Sequence, residues 1–288
     1  MSRYLTDRLA RYAVFAGAAV SFLVLLAIAV FIFRGGLPAF KEIGIFDFLF
    51  GAVWRPGQDQ YGILVMIVGS VAVTAGSLLL AVPLGIACAI LLAEVAPFGV
   101  RQFLRQAVEL LVGIPSVVYG LVGMVLLVPA IRQLGGPGYS VLAASIVLMA
   151  MVLPTIISIS EDSIRAVPAS YKEAALALGA THWQTIWRVL LPSARSGIIA
   201  AVVLGMGRAV GETMAMIMVI GNSITFPTSP LSPTRTLTGN IAVEITYAGG
   251  LHRSALFATG IVLFVLILII NSIAVISLKR GGHAQNLA

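Results

Sequence analysis

Charged residues are scarce in this chain of 288 residues: 10% are Asp, Glu, Lys or Arg, whereas 59% are apolar. Soluble globular domains have about a quarter charged residues, so the two soluble domains that the length alone suggests are excluded. Intrinsic disorder is excluded too, because it requires low hydrophobicity and high net charge. The composition predicts a polytopic membrane protein surrounded by lipid. The net charge of +7 is then explained by basic loops that orient the chain in the membrane, and we expect no nucleic-acid partner.

Cysteine and lysine are also rare, and each scarcity excludes a kind of site. Cys88 is the sole cysteine, so a disulfide framework and a cysteine-rich metal site are excluded. None of the three lysines follows a glycine, so the chain has no phosphate-binding loop of the G-x-x-x-x-G-K-[ST] type. The histidines show no zinc-ligand spacing; they are His182, His252 and His283. We expect no metal, no cofactor and no catalytic residue in this chain, and any ATP must be bound by a separate subunit.

Long apolar runs are abundant, and six of them have about the 20 residues that a membrane-spanning helix needs. They lack the strict alternation of barrel strands, so helices, which satisfy their own backbone hydrogen bonds, are predicted. The fold class expected is all-α, with six transmembrane helices. The second run is longer than one span and contains Pro83, which predicts a tilt, a kink or a protruding end. The runs lie at about 12–33, 63–93, 106–130, 140–160, 197–221 and 255–278.

The distribution of Lys and Arg predicts the orientation of these spans. With both termini in the cytoplasm, eleven of the 18 basic residues lie in inside segments and six in outside loops, in accord with the positive-inside rule. The first run is too long for a secretory signal and no clear cleavage site follows it, so we interpret it as a retained helix. The predicted parts are an N-terminal tail, first helix and outside loop at 1–62, a membrane domain at 63–278, and a cytoplasmic tail at 279–288.

The inside loop at 161–196 carries the most specific local signals. Ser170 and Glu173 fit the S-x-x-E capping box, which predicts the start of a short helix. Gly179 fits the left-handed position just past a helix end. Thr181 and Gln184 form a second box, T-x-x-Q. The loop is therefore predicted to hold a short helix, a tight turn and a second helix.

The second helix of this loop is predicted to be amphipathic. Trp183, Ile186, Trp187 and Leu190 recur at the spacing of one helical face. Tryptophans on an apolar face are typical of helices at a membrane interface. Pro192 marks the next break. The loop is either an ordinary, well-capped surface segment or a lever through which a cytoplasmic partner moves the attached spans.

Arg208 and Glu212 are charged residues near the middle of the fifth apolar run, where each costs about 2.5–3.5 kcal/mol to insert. They are four residues apart, so both are expected to lie on one helical face, where they could pair. Gly207 and Gly211 form a G-x-x-x-G step that lets another helix pack closely. Three interpretations remain open: an ion pair that fixes packing, a pair that gates a path, or a transient oxyanion site where Arg208 offers its planar fork of donors.

Other polar residues in the spans are weaker candidates for the lining of a path. Ser116 and Tyr119 follow Pro115, and Thr155 follows Pro154. A proline can interrupt a helix and free backbone groups, and such interruptions tend to line cavities. Ordinary packing is the alternative for each of them.

The loop at 161–196 resembles the EAA motif of the permeases of ABC importers: Glu-Ala-Ala, three residues, Gly, about nine residues, and Ile-x-Leu-Pro. The spacing matches, although a valine replaces the isoleucine. In that family the first short helix is a coupling helix that docks in a groove of the ATP-binding subunit, so the resemblance implies a coupling role for the matching residues. They are Glu173, Ala174, Ala175, Gly179 and Pro192, with Val189 at the isoleucine position.

Three further segments resemble the permeases of phosphate importers, the PstC family: VELLVGIPSVVYGLVG, MVLPTIISISEDSIRAVP and LGMGRAVGETMAMIMVIGNS, at 108–123, 151–168 and 204–223. The resemblance implies a permease of type I that forms half of a phosphate path in the inner membrane and is not itself an enzyme. It also implies a PstA-like sister permease, two ATP-binding subunits and an extracytoplasmic phosphate-binding protein. Along the path, the resemblance favours Arg208 and Glu212.

Two alternatives stay open beside this interpretation. The chain could be a type I permease for another oxyanion, molybdate or sulfate. It could instead be a proton-coupled secondary carrier in which Glu212 titrates. A carrier of that kind has no need of a loop that docks an ATPase.

Overall fold

The structure, a computed structural model, describes the backbone of residues 2–283 and the side chains of residues 7–272. The chain is almost entirely helical. The one sheet in the described part is a hairpin that pairs Trp54 with Tyr61. In chain order the helices and strands are α1 (Ser2–Ile43), α2 (Ile45–Phe50), β1 (Trp54–Arg55), β2 (Gln60–Tyr61), α3 (Leu64–Ile90), α4 (Phe98–Gly113), α5 (Ser116–Val122), α6 (Val128–Arg132), α7 (Val141–Arg165), α8 (Ala169–Ala177), α9 (His182–Thr185), α10 (Leu191–Ser193), α11 (Arg195–Gly211), α12 (Met214–Val219), α13 (Leu237–Glu244) and α14 (Gly250–His283).

Four helices of the described part are long and apolar enough to cross a membrane, and two bent helix pairs bring the number to six. The first of these pairs bends by 98° and the second by 68°. The all-α class with six spans is thereby confirmed. The four single spans are Asp7–Ile43, Leu64–Val95, Val141–Arg165 and Gly250–Ser272, and the bent pairs are Phe98–Gly113 with Ser116–Arg132 and His182–Ser193 with Arg195–Gly211.

The third span, predicted over 106–130, is interrupted at Pro115, as the sequence led us to expect for that proline. The chain leaves the helical conformation at Ile114 and Pro115, because proline has no N–H to continue the ladder and disfavours the helical conformation of the residue before it. α4 therefore lies at 98° to the helix that follows. The second member of this pair, residues 116–132, is about 25 Å long at 1.5 Å per residue.

The fifth span differs from the predicted continuous helix over 197–221. α11 ends at Gly211, and Glu212 has extended backbone angles (φ −69°, ψ 132°) before α12 begins. By contrast, Pro83 and Pro154 lie inside unbroken helices. The interruption expected after Pro154 is therefore wrong, and Thr155 lies on a regular turn of α7.

Small residues let the central helices pack closely. A Cβ added to Gly76 of α3 would meet Ser145 of α7, and one added to Gly85 would meet Ile156. On α11, an added Cβ would meet Ile156 at Gly205 and Ser163 at Gly197. These contacts are the small-residue interfaces typical of membrane helices, and they hold α3, α7 and α11 as the centre of the molecule.

We name the segments at 44–63 and 220–249 the outer loops. They pack over the ends of the first and last spans. α2, the hairpin and α13 share a buried apolar cluster with the end of α1 and with α14. Its largest fully buried side chains include Phe48, Ile63 and Leu237. The Pro-rich segment before α13 is not helical, as the prolines predict.

Candidate coupling and transport sites

The loop at 161–196 folds as a helix, a turn and a second helix. Gly179 has φ +85°, the left-handed value predicted for it. Its N–H donates to the Leu176 carbonyl, and the Ala180 N–H donates to the Ala175 carbonyl. These two bonds are the Schellman pattern that closes a helix end. The pattern requires a positive φ at residue 179, which glycine adopts without strain.

The second capping box is confirmed and the first is not. The Thr181 N–H donates to Gln184 Oε1 at 2.8 Å, and the Gln184 N–H donates to Thr181 Oγ1 at 3.3 Å. α8, however, begins at Ala169 after Pro168, with no side-chain cap. Ser170 thus lies inside the first turn, where its hydroxyl is not at the capping position. Proline, with its fixed φ, sets this helix start.

α8 presents an open surface to its surroundings. It has no buried residue, and Glu173 and Ala174 are both exposed. Next to them lie exposed apolar side chains, with Leu178 at 90% exposed and Tyr171 and Leu176 about half exposed. Exposed apolar groups rimmed by charge are typical of an interaction surface. Within the predicted motif, Ala175 is partly buried, Gly179 is exposed, and Pro192 is exposed just before the 68° bend.

The second helix of the loop divides the apolar face that the sequence predicted. Ile186 and Leu190 are buried at 1% and 3% exposure and pack in a cluster with residues of α3 and α7. Trp183 and Trp187 point outward at 57% and 61% exposure. Residues 186–190 form a π-helical turn, whose i→i+5 bonding changes the angular spacing of the side chains. The single apolar face predicted for this helix is thereby divided into a buried pair of residues and an exposed pair.

Glu94 is a residue of this site that the sequence analysis did not identify. It lies in a π-helical turn at the C-terminal end of α3 and is 12% exposed. Its Oε2 accepts a hydrogen bond from Lys172 Nζ of α8, and His182 Nε2 of α9 lies 3.7 Å from the same oxygen. A lone carboxylate at the end of an apolar run was the available signal, but its partners are 78 and more residues away.

Arg208 and Glu212 are not paired, so the predicted ion pair is absent among the described residues. Arg208 is exposed on the last turn of α11. Glu212 lies beyond the helix, where its Oε1 accepts from the Ala215 N–H at 3.3 Å and its carbonyl accepts from Thr238 Oγ1 at 3.0 Å. The helix break thus separates two side chains that a continuous helix would have placed on one face.

The predicted close-packing step on α11 also lies open. An added Cβ at Gly211 would meet nothing within 4 Å, and one at Gly207 would meet only Asn271 at 3.9 Å. Leu204 and Arg208 are exposed beside them. These four residues follow the spacing of one helical face, which we name the open face of α11. Within this chain, Gly205 and Gly197 make the close contacts instead.

The other predicted path residues have different surroundings. Ser116 is half-buried at the first position of α5, directly after the break at Pro115, and Tyr119 Oη donates to the Leu111 carbonyl across that break at 2.9 Å. α5 packs against α12, where an added Cβ at Gly120 would meet Met218 and Ala215. Ser116 and Glu212 therefore both lie at breaks before two short helices in contact. Thr155 is half-buried in α7.

A buried polar network joins the outer loops. Arg235 Nη1 donates to Glu244 Oε1 at 2.6 Å and to Asn240 Oδ1 at 3.0 Å. Trp54 Nε1 donates to Glu244 Oε2 at 2.9 Å, and His252 Nε2 lies 2.8 Å from that oxygen. His252 occupies the first turn of α14. The network contains a well-satisfied buried ion pair.

Two further observations concern the pKa of Tyr61 and possible metal ligands. Burial raises the pKa of Tyr61 above its usual value of 10.0, and the neighbouring Asp59 carboxylate raises it further. Among the residues searched, no group of three or more His, Cys, Asp or Glu side chains could hold a metal ion. The side chain of His283 lies outside the described residues.

The comparisons with known proteins give the family. Residues 81–280 match the family described as "Binding-protein-dependent transport system inner membrane component". The chain belongs to this family. It is a multi-pass membrane protein and a transport component, not an enzyme, and it works with an ABC partner system.

Individual relatives agree along almost the whole chain. A probable ABC transporter permease protein, YqgH of Bacillus subtilis, is 44% identical over 92% of this chain and 88% of its own length. The phosphate transport system permease protein PstC of Mesorhizobium japonicum is 39% identical over 91% of this chain and 87% of its own. A crystal structure of a bacterial ABC transporter for alginate import superposes with a TM-score of 0.69 at 20% identity, over 93% and 94% of the two chains, which shows a shared fold.

Proposed function

We propose that this chain is one permease subunit of an ATP-driven phosphate importer and forms half of its translocation path. The observation that carries the proposal is the coupling loop: a Schellman turn at Gly179 and a capping box at Thr181 present α8 as a short helix with no buried residue. The relatives named as phosphate transport permeases support phosphate as the substrate.

The open face of α11 supports a second permease subunit. Arg208 lies 13 residues beyond Arg195, about 20 Å along the helix. A charge at that depth is costly against lipid, and two glycines beside it leave room for another backbone. A PstA-like permease on this face would cover Arg208 and enclose a water-filled path between the two subunits.

Within that path, Arg208 is the group suited to phosphate. Its planar guanidinium offers paired donors that fit an oxyanion. It forms no ion pair among the described residues, and Glu212, four residues further along the chain, accepts a hydrogen bond from the backbone of α12. Arg208 is therefore free to contact a passing phosphate. Glu212 holds the start of α12 beside the path, and Ser116 and Thr155 are further polar contacts along it.

The proposal includes the remaining subunits of the importer. ATP is bound and hydrolysed by two partner subunits that dock on α8 through Glu173, Ala174, Ala175 and the Gly179 turn. Their closure moves α8 and opens the path toward an extracytoplasmic phosphate-binding protein. Residues 161–196 and both termini then lie in the cytoplasm.

Uptake of labelled phosphate into vesicles tests the proposal. The vesicles contain this chain with its co-purified partners and the binding protein outside, with or without ATP inside. We expect uptake only with ATP, inhibition by excess unlabelled phosphate, and no inhibition by molybdate or sulfate. Competition by molybdate or sulfate would indicate that the substrate is another oxyanion. Uptake that occurs without ATP and is abolished by a protonophore would indicate a secondary carrier.

A further inference from the structure

The cytoplasmic end of α3 collects cations from three separate elements. Arg101 of α4 donates to the Ala96 carbonyl at 3.3 Å, and Arg165 of α7 donates to the Leu92 carbonyl at 3.1 Å. Lys172 of α8 binds the Glu94 carboxylate. The first two cations satisfy backbone carbonyls that a helix end leaves free. The third contact involves side chains alone, and it is made by the predicted coupling helix.

Glu94 is placed where a carboxylate is unfavourable. It lies at a helix C-terminus, where the helix dipole disfavours negative charge. It is also 12% exposed, so its charge is largely removed from water. A π-helical turn, a feature frequent at functional sites, holds it there. Its negative charge is offset by Lys172 of α8, so this position joins the helix end to α8 and does more than fill space.

The partners of Glu94 lie on both sides of the Gly179 turn. Lys172 belongs to α8 and His182 to α9, and both approach Oε2 of the same carboxylate. α8 has no buried residue of its own. The contact between Lys172 and Glu94 is therefore a main interaction between this otherwise exposed helix and the long span α3.

We propose that Glu94 is a positioning residue of the coupling loop: through Lys172 it holds α8 against α3, so that movement of α8 by an ATPase is passed to that span. This inference rests on the proposed function. Glu94 need not contact ATP, phosphate or the ATPase. Its role is to keep α8 and α3 moving together, and α3 in turn packs along α7 at the centre of the molecule.

A double-mutant cycle tests the proposal in the complete complex. Glu94→Gln and Lys172→Met each remove one charge, and their combination removes both. Each single variant should lower the phosphate carried per ATP hydrolysed by about fivefold or more, while the ATPase still co-purifies and still hydrolyses ATP. The double variant should be no worse than the singles, because the interaction is already lost. Additive losses, or normal coupling in Glu94→Gln, would overturn the proposal.

Glu109→Gln is the matched control. Glu109 also lies on the cytoplasmic side and pairs with Arg105 at 3.7 Å, but its side chain is 67% exposed. Exposed pairs contribute little, so coupling should stay normal. A loss in this control equal to that in Glu94→Gln would show a general charge effect and overturn the assignment to Glu94.

A second measurement separates this proposal from the substrate assignment. Spin labels at Ser170 on α8 and Ala87 on α3, in a background with Cys88 replaced, report the distance between the two helices. The intact complex should give a narrow distribution that ATP shifts, and Glu94→Gln should broaden it. A wild-type complex that hydrolyses ATP without taking up phosphate would defeat the proposed function, whereas an unchanged distribution in Glu94→Gln would defeat the role of Glu94.

Discussion

Arg208 and Glu212 are four residues apart in the chain, yet the end of α11 at Gly211 places their side chains in different surroundings. Arg208 stays on the exposed side of α11, while Glu212 leaves the helix and accepts a hydrogen bond from the Ala215 amide at 3.3 Å. An exposed arginine near the end of α11 and a carboxylate that accepts a hydrogen bond at the start of the next helix are thus close in the chain but differ in surroundings. This relationship makes the consequences of removing each charge separable.

Arg208→Lys should impair transport without impairing assembly. The substitution keeps the charge but loses the planar fork, and Arg208 has no intramolecular ion-pair partner to lose among the described residues. We expect ATP-driven uptake to fall about tenfold, the equivalent of roughly 1.4 kcal/mol, with an unchanged thermal midpoint. Uptake and thermal unfolding of the purified complex give the two measurements.

The double variant Arg208→Met, Glu212→Leu extends this test to a role in packing. If the charges only fix helix packing, well-packed apolar replacements should leave uptake normal. We expect instead an assembled complex that transports poorly. Arg132→Lys, an exposed arginine at the end of α6, is the control and should transport normally. Normal uptake by the assembled double variant would remove both residues from the transport path.

Gly179→Val should uncouple the chain from its ATPase. Gly179 has φ +85°, where a β-branched residue is strained by about 1–2 kcal/mol, so the Schellman turn should open and α8 should lose its orientation. The variant should still insert, but ATPase co-purification and uptake should both decrease. Gly99→Val is the control, since an added Cβ there would meet nothing within 4 Å and Gly99 has no positive φ. Equal behaviour of the two variants would contradict the coupling role of the turn.

Residues 170 and 229 should lie on opposite sides of the membrane. Ser170 and Ser229 are both exposed, so single cysteines at these positions, in a background with Cys88 replaced, should react with a membrane-impermeant maleimide. In intact cells only the cysteine at 229 should be labelled, and the cysteine at 170 should require permeabilisation. Labelling of both from one side would contradict the six-span topology with cytoplasmic termini.

Arg235→Met should destabilise the outer loops. It removes the 2.6 Å partner of Glu244, both residues being buried, and breaking a buried pair from one side costs about 3–5 kcal/mol. The midpoint of thermal unfolding in detergent should fall, and Arg235→Met with Glu244→Leu should recover part of it. Arg132→Met is the exposed control. An unchanged midpoint in Arg235→Met would show that Trp54 and His252 suffice to hold the carboxylate.

The sequence predicted those features that depend on neighbours along the chain. Apolar runs of sufficient length placed all six spans, because burial in lipid requires hydrophobicity and length. Gly179 and the Thr181–Gln184 box were identified correctly because both are backbone events completed within a few residues. The Ser170 box failed by two positions because the N-cap of α8 is Pro168.

Only the tertiary structure decided the features that join distant segments. Glu94 is 78 residues from Lys172, and no local sequence pattern predicts such a pair. The end of α11 at Gly211, the separation of Trp183 from Ile186 by a π-helical turn, and the open face around Arg208 all depend on which neighbouring helix each side chain meets. The physical reason is one of range: helix propensity, capping and the break at Pro115 act over a single turn, whereas burial and ion pairing are set by contacts that form when the spans assemble.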